Sequence, residues 1–145
     1  MTSAVACELC TQTGGEVVWS NDLCRVVLVA DIHYPGFCRV IWNRHVREMT
    51  DLAAGEREQL MTAVWLVEGA VREAMMPDKI NLACLGNMVP HVPWHVIPRF
   101  TDDVHFPGAV WASAQRPPVL PDLAVRSAML LRLREAITRN LAHGI

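Results

Sequence analysis

Polar and apolar side chains alternate through His91-Val92-Pro93-Trp94-His95-Val96, inside the longer run from Asn87 to Phe100. Successive side chains of a strand point to opposite faces, so a strand here sends His91, Pro93 and His95 one way and Val92, Trp94 and Val96 the other. Two imidazoles then flank a proline on one polar face. Proline gives up a ladder donor and belongs at strand ends, edges or bulges, so its place between two histidines marks a residue exchange that the strand itself did not need.

Around this run the chain reads as one domain. A chain of 145 residues buries about 68 to 70% of its unfolded surface and needs no metal or disulfide merely to hold together. Apolar residues at 52% against 19% charged are a globular balance, and a net charge of −2 argues against a phosphate-backbone binder, so no nucleic-acid partner is expected. No apolar run reaches the roughly 18 residues of a spanning helix, and the N-terminus lacks a basic start followed by a hydrophobic stretch. The expectation is a cytoplasmic protein without a membrane partner. Of the five cysteines, Cys24, Cys38 and Cys84 sit in strand-like apolar runs, whereas Cys7-Glu8-Leu9-Cys10 in a reducing compartment points to metal or redox chemistry before a disulfide.

Strands are expected at 16–19, 23–30 and 37–42, close enough in sequence for an antiparallel meander. Between Thr50 and Pro77 the period changes: Leu60, Val64, Val67 and Val71 form a helical stripe, with Thr50 or Asp51 as cap. Strands return at 79–86 and 91–97 around a Gly86-Asn87 turn, and a coil rich in proline and glycine follows. A single helix over about 122–141 closes the chain, with Leu130, Leu133, Ile137 and Leu141 on one stripe. The class is α+β: an antiparallel sheet of about five strands, one helix between strands 3 and 4, and a C-terminal helix. Trp65 and the methionines are expected in the core, and His33, His105 and His143 at the surface.

His91-Val92-Pro93-Trp94-His95-Val96-Ile97 resembles the signature of the histidine-triad (HIT) family, His-φ-His-φ-His-φ-φ, where φ is apolar. The resemblance extends to Phe37 through His45, similar to the strand leading into the family's Pro-Lys-x-His segment, and to Asp51-Leu52 at a helix start. It covers about residues 5–111 of a single domain spanning 1–145, with the coil and helix of 112–145 outside the shared core. It implies the HIT fold and a nucleotide site with Asp31 at the ribose and Asn81, Asn87 and His95 at phosphate. In active members the middle histidine attacks the α-phosphate and forms a nucleotidyl-imidazole. Here that position is Pro93, which has no free lone pair for the attack, and nucleophile losses elsewhere cost about 10⁶ in turnover.

The resemblance further implies that Cys7, Cys10, His45 and His91 match the ligands of zinc-containing HIT proteins. Four N and S donors close a tetrahedron with no open position, so the zinc would be structural. The chain is thus expected to bind a purine nucleotide or nucleotide-derived small molecule, of the dinucleoside polyphosphate or nucleoside phosphoramidate class, with hydrolysis impaired. Two alternatives are a hydrolase still working through His95, and a zinc-stabilised interaction module without catalysis. HIT proteins are commonly homodimers, and a homodimer is expected, with the two helix stripes as possible contact surfaces.

Overall fold

The structure, a computed structural model, describes residues 7–144, so the first two residues of the expected 5–111 core lie outside the described residues. The elements are α1 (Glu8–Thr11), β1 (Glu16–Ser20), β2 (Cys24–Leu28), β3 (Cys38–Trp42), α2 (Ala54–Met75), β4 (Lys79–Ala83), β5 (Pro93–Arg99), α3 (Leu120–Ser127) and α4 (Leu130–Gly144). All strands join one antiparallel sheet in the order β1-β2-β3-β5-β4, so β5 inserts between β3 and its own predecessor. The expected meander of the first three strands and the α+β class are both present.

One sheet face carries the helices. Val26, Cys38, Val40, Trp42, Val92 and Val96 meet the α2 stripe of Leu60, Val64, Val67 and Val71 in the main core. The predicted stripe of α4 is also real, but Leu133, Ile137 and Leu141 pack into this same core beside α2. The C-terminal helix is therefore part of the core, and the two stripes face each other instead of remaining free for a partner. Ion pairs from Arg134 to Glu16 and from Arg139 to Glu73 hold α4 against β1 and α2.

Several boundaries differ from the sequence reading for local reasons. The final helix is broken at Ala128–Met129, where Met129 N–H reaches back only to Arg126 C=O. Before the break, Arg126 pairs with Asp102 and lies 3.6 Å above the Phe100 ring; after it, α4 is free to run along α2. The cap of α2 is neither Thr50 nor Asp51: Glu56 accepts the Ala53 N–H at 2.8 Å, while Asp51 closes a 3₁₀ turn one step earlier by accepting from Glu48. Trp65 lies off the α2 stripe and is 60% exposed, and Met76 and Met88 are exposed as well. No helix among the described residues is long and apolar enough to cross a membrane.

The prolines of β5 now have a backbone explanation. Pro93 opens the strand and pairs with Ile41 of β3, while the ladder to β4 stops at Ala83–His95. Pro98 lies at the other end, paired with Ile80 of β4 where the ladder to β3 has already stopped at Cys38–Val96. Each proline thus has a ladder partner on one side only, where a missing N–H is least costly. His91 is not in the strand: it precedes β5 on the loop over 84–92.

On the sheet face away from the helices, a buried ion pair pins the coil that follows β5. Arg99 gives Nε and Nη2 to the two oxygens of Asp103 at 2.9 and 3.0 Å, Nη2 to Gly108 C=O and Nη1 to Asn81 Oδ1. Asp103 also accepts the N–H groups of Phe100, His105 and Phe106 and the Tyr34 hydroxyl. Burial alone would raise the Asp103 carboxyl, but the Arg99 bonds and these backbone donors outweigh it and hold the group below its ordinary range. His105, expected at the surface, is drawn into this network, its Nδ1 2.6 Å from the Tyr34 hydroxyl. Replacing Asp103 with Asn keeps the shape but leaves Arg99 without its countercharge, and urea denaturation is expected to show a loss of about 3–5 kcal/mol. A loss below about 1 kcal/mol would mean that Arg99 does not depend on Asp103.

Candidate metal centre and phosphate face

Cys7 and Cys10 lie at the two ends of a tight turn in which Cys10 N–H donates to Cys7 C=O at 3.1 Å. Arg25 of β2 fastens this segment to the sheet by donating to the carbonyls of Leu9, Gln12 and Thr13, and Leu9 packs on Val27 and Ile41. The thiols are thereby held beside His45, which follows β3, and His91, which precedes β5. Cys7 Sγ is 3.4 Å from His91 Nδ1, and Cys10 Sγ is 3.2 Å from His45 Nδ1 and 3.6 Å from His91 Nδ1.

All four donor atoms fall within 4.8 Å of one another. An ion bound tetrahedrally at about 2.0–2.3 Å has N-to-S edges of about 3.5 Å, so the spacing and chemistry of this set fit a four-coordinate metal. The far side of His91 is held as well, its Nε2 lying 2.6 Å from Trp42 C=O; a donor there leaves Nδ1 as the ligand atom. Burial lowers the basicity of His91, while burial and the neighbouring Cys7 raise the Cys10 thiol. The four sequence-predicted ligands therefore come together, although they arrive from three separate segments of the chain.

The residues predicted for nucleotide are less tightly grouped. His95 is buried in the middle of β5, on the face opposite the helices, with the Phe37 and Trp111 rings edge-on at 5.6 and 5.2 Å. Its Nδ1 is buried without a hydrogen-bond partner in the protein. Asn81 shares that sheet face, but its carbonyl oxygen is committed to Arg99. Asp31 acts in the turn after β2, where its Oδ1 accepts the His33 N–H at 3.0 Å. Asn87 is exposed on the 84–92 loop and makes no side-chain hydrogen bond to Asp31, Asn81 or His95 among the described residues.

Two neighbours of His95 were not singled out from the sequence as its partners. Arg39 lies directly across from it on β3, and Trp111 reaches it from the coil pinned by Asp103. The sequence carries a faint signal for the first: an arginine in the apolar run Phe37 to Trp42, at a position whose pleat faces away from the helices.

The family model of the HIT domain matches residues 11–102. No curated protein matches the chain. Among solved structures, a histidine triad protein from Bradyrhizobium japonicum is 30% identical over 86% of this chain and 92% of that one, with a TM-score of 0.71. A histidine triad (HIT) protein from Sinorhizobium meliloti 1021 is 27% identical over 86% and 90%, with a TM-score of 0.69. A Zn-bound histidine triad family protein from Mycobacterium smegmatis shares the fold at 18% identity, covering 97% and 99% at a TM-score of 0.64.

Burial first, and then the charge of Arg39, push His95 down to about 4. A histidine whose folded value lies below its unfolded value of about 6.5 contributes no penalty above that pH, and a growing one as the pH falls from there toward 4. His95→Gln is expected to remove this share of the acid sensitivity. Denaturation midpoints of the two proteins should converge or cross between pH 6.5 and 4; a gap that does not change with pH would contradict the assigned environment of His95.

Proposed function

The chain belongs to the HIT domain family, and on that premise we propose that it binds a purine nucleotide or nucleotide-derived small molecule at His95 while lacking the nucleophile that would cleave it. The observation that carries this reading is the pair at the start of β5: a buried imidazole with an unpartnered Nδ1 at His95, and a proline two residues earlier on the same face. His95 can donate one hydrogen bond to a phosphate oxygen. Pro93 offers neither a lone pair nor a proton, so no nucleotidyl intermediate forms at that position. His95 is a poor substitute nucleophile, since it stands about 6.6 Å further along the strand and in-line attack does not tolerate such a displacement. Asp31, Asn81 and Asn87 complete the proposed nucleotide side, with Asp31 toward the ribose hydroxyls and the two amides toward phosphate.

The metal in this reading is zinc, held by Cys7, Cys10, His45 and His91. Its role is to tie the N-terminal segment to the loops after β3 and before β5, because four protein donors leave it no position for substrate. Zinc-ligating Cys7 and Cys10 and unbridged Cys24, Cys38 and Cys84 fit a reducing compartment, and we read the protein as cytoplasmic. The homodimer reading rests on the sheet edge: β4 is an outer strand, and Leu82 within it and Leu85 just after it are exposed.

AMP or GMP is expected to raise the melting temperature of the purified protein while adenosine phosphoramidate and diadenosine tetraphosphate stay intact. Pro93→His is expected to restore hydrolysis, since the backbone position uses only one ladder and accepts an N–H. A variant that folds and binds nucleotide yet remains inert would show that more than the nucleophile is missing. For the metal, elemental analysis is expected to give about one zinc per chain; none, with Cys7 and Cys10 freely alkylated, would remove it.

A further inference from the structure

We infer that Arg39 and His95 together form an anion site for a phosphoryl group, with Arg39 supplying the positive charge. The nucleotide reading above enters only in naming a mononucleotide as the source of that group. Arg39 and His95 are paired residues of neighbouring strands, so their side chains leave the same face a few ångströms apart. The Phe37 ring borders both, 6.0 Å from the guanidinium and edge-on to the imidazole. Trp111 closes the other side of His95.

The bonding of the three arginines on this face separates them. Arg99 is neutralised by Asp103, and Arg25 is occupied by three carbonyls and Asn43. Arg39 has five N–H donors and commits one group, Nη1, to Gly14 C=O at 3.0 Å. Among the described residues it makes no ion pair with a carboxylate. Its Nε is buried without a partner, as is Nδ1 of His95. Unpaired buried polar nitrogens are rare and costly, and here two of them belong to direct cross-strand partners.

A tetrahedral oxyanion answers both at once. The fork of Arg39 can take two oxygens while a further oxygen accepts from His95, whereas a planar carboxylate spends both oxygens on the fork. The buried Phe37 ring gives the site an apolar wall, which strengthens each of these bonds. Because burial, and then the charge of Arg39, lower the basicity of His95, the imidazole enters as a neutral donor and the guanidinium carries the charge.

Titration calorimetry of the zinc-replete protein with AMP, inorganic phosphate and adenosine tests the site, alongside Arg39→Gln and Arg39→Lys. Both phosphates are expected to bind and adenosine not; Arg39→Gln should weaken AMP about 10- to 100-fold, and Arg39→Lys should recover only part of that. A phosphate titration followed on the His95 ring nitrogens by NMR needs no variant and is expected to move those signals. If AMP binds the parent and Arg39→Gln equally, the Arg39 assignment fails and the nucleotide reading stands. If phosphate binds in an Arg39-dependent way but AMP does not, the nucleotide reading fails and the anion site stands. Adenosine binding as tightly as AMP, or His95 signals unmoved by phosphate, would overturn the site.

Discussion

Each side chain of β5 must go to one face of the sheet or the other, and this pleat divides the work of the molecule. Trp94 and Val96 turn toward α2 and seal the main core, while His95 and Ile97 turn toward the opposite face. The strand is bordered on both sides over its middle, so neither set can slip by one residue without exchanging core for solvent. The imidazole of His95 is rigidly placed because the alternate residues are holding the fold together.

The opposite face is built by tying loops to the sheet. Arg25 draws in the segment with Cys7 and Cys10, whose thiols meet His45 and His91 at the ends of β3 and β5, and Arg99 with Asp103 pins the coil that brings Trp111 to His95. These ties are polar and buried, which makes them costly to break singly and specific in geometry. The face proposed for phosphate lies between them, with Arg39 and His95 paired across β3 and β5. The four donors that could hold a metal include His91 of the loop that leads into β5, so an ion bound there would fix that loop through the backbone.

Much of the candidate site was legible because it is local or carried by a family pattern. The alternation from Pro93 onward, the Cys-x-x-Cys turn and the helical stripes are short-range signals, and each has its counterpart in the structure, whereas His91 falls on the loop before β5. Asn81 and Asp31 show the limit: both lie near the expected region, but one is engaged by Arg99 and the other by its own turn. Trp65 is exposed because its angle on the α2 wheel lies off the stripe, which hydrophobicity alone does not encode, and nothing in the pattern of the closing helix marks the turn at Ala128.

The sequence by itself determined the α+β class, the two faces of β5, the four candidate ligands and the absence of a histidine at 93, since these depend on residue type and on periods of two or 3.6. Only the tertiary structure decided that β5 lies between β3 and β4, that the stripe of α4 meets α2, and that Arg39 faces His95. The pairings of β5 with β3 and of α4 with α2 are choices of partner across 50 or more residues. No local period encodes them, because a pleat fixes which side a residue points to and leaves open what it will find there.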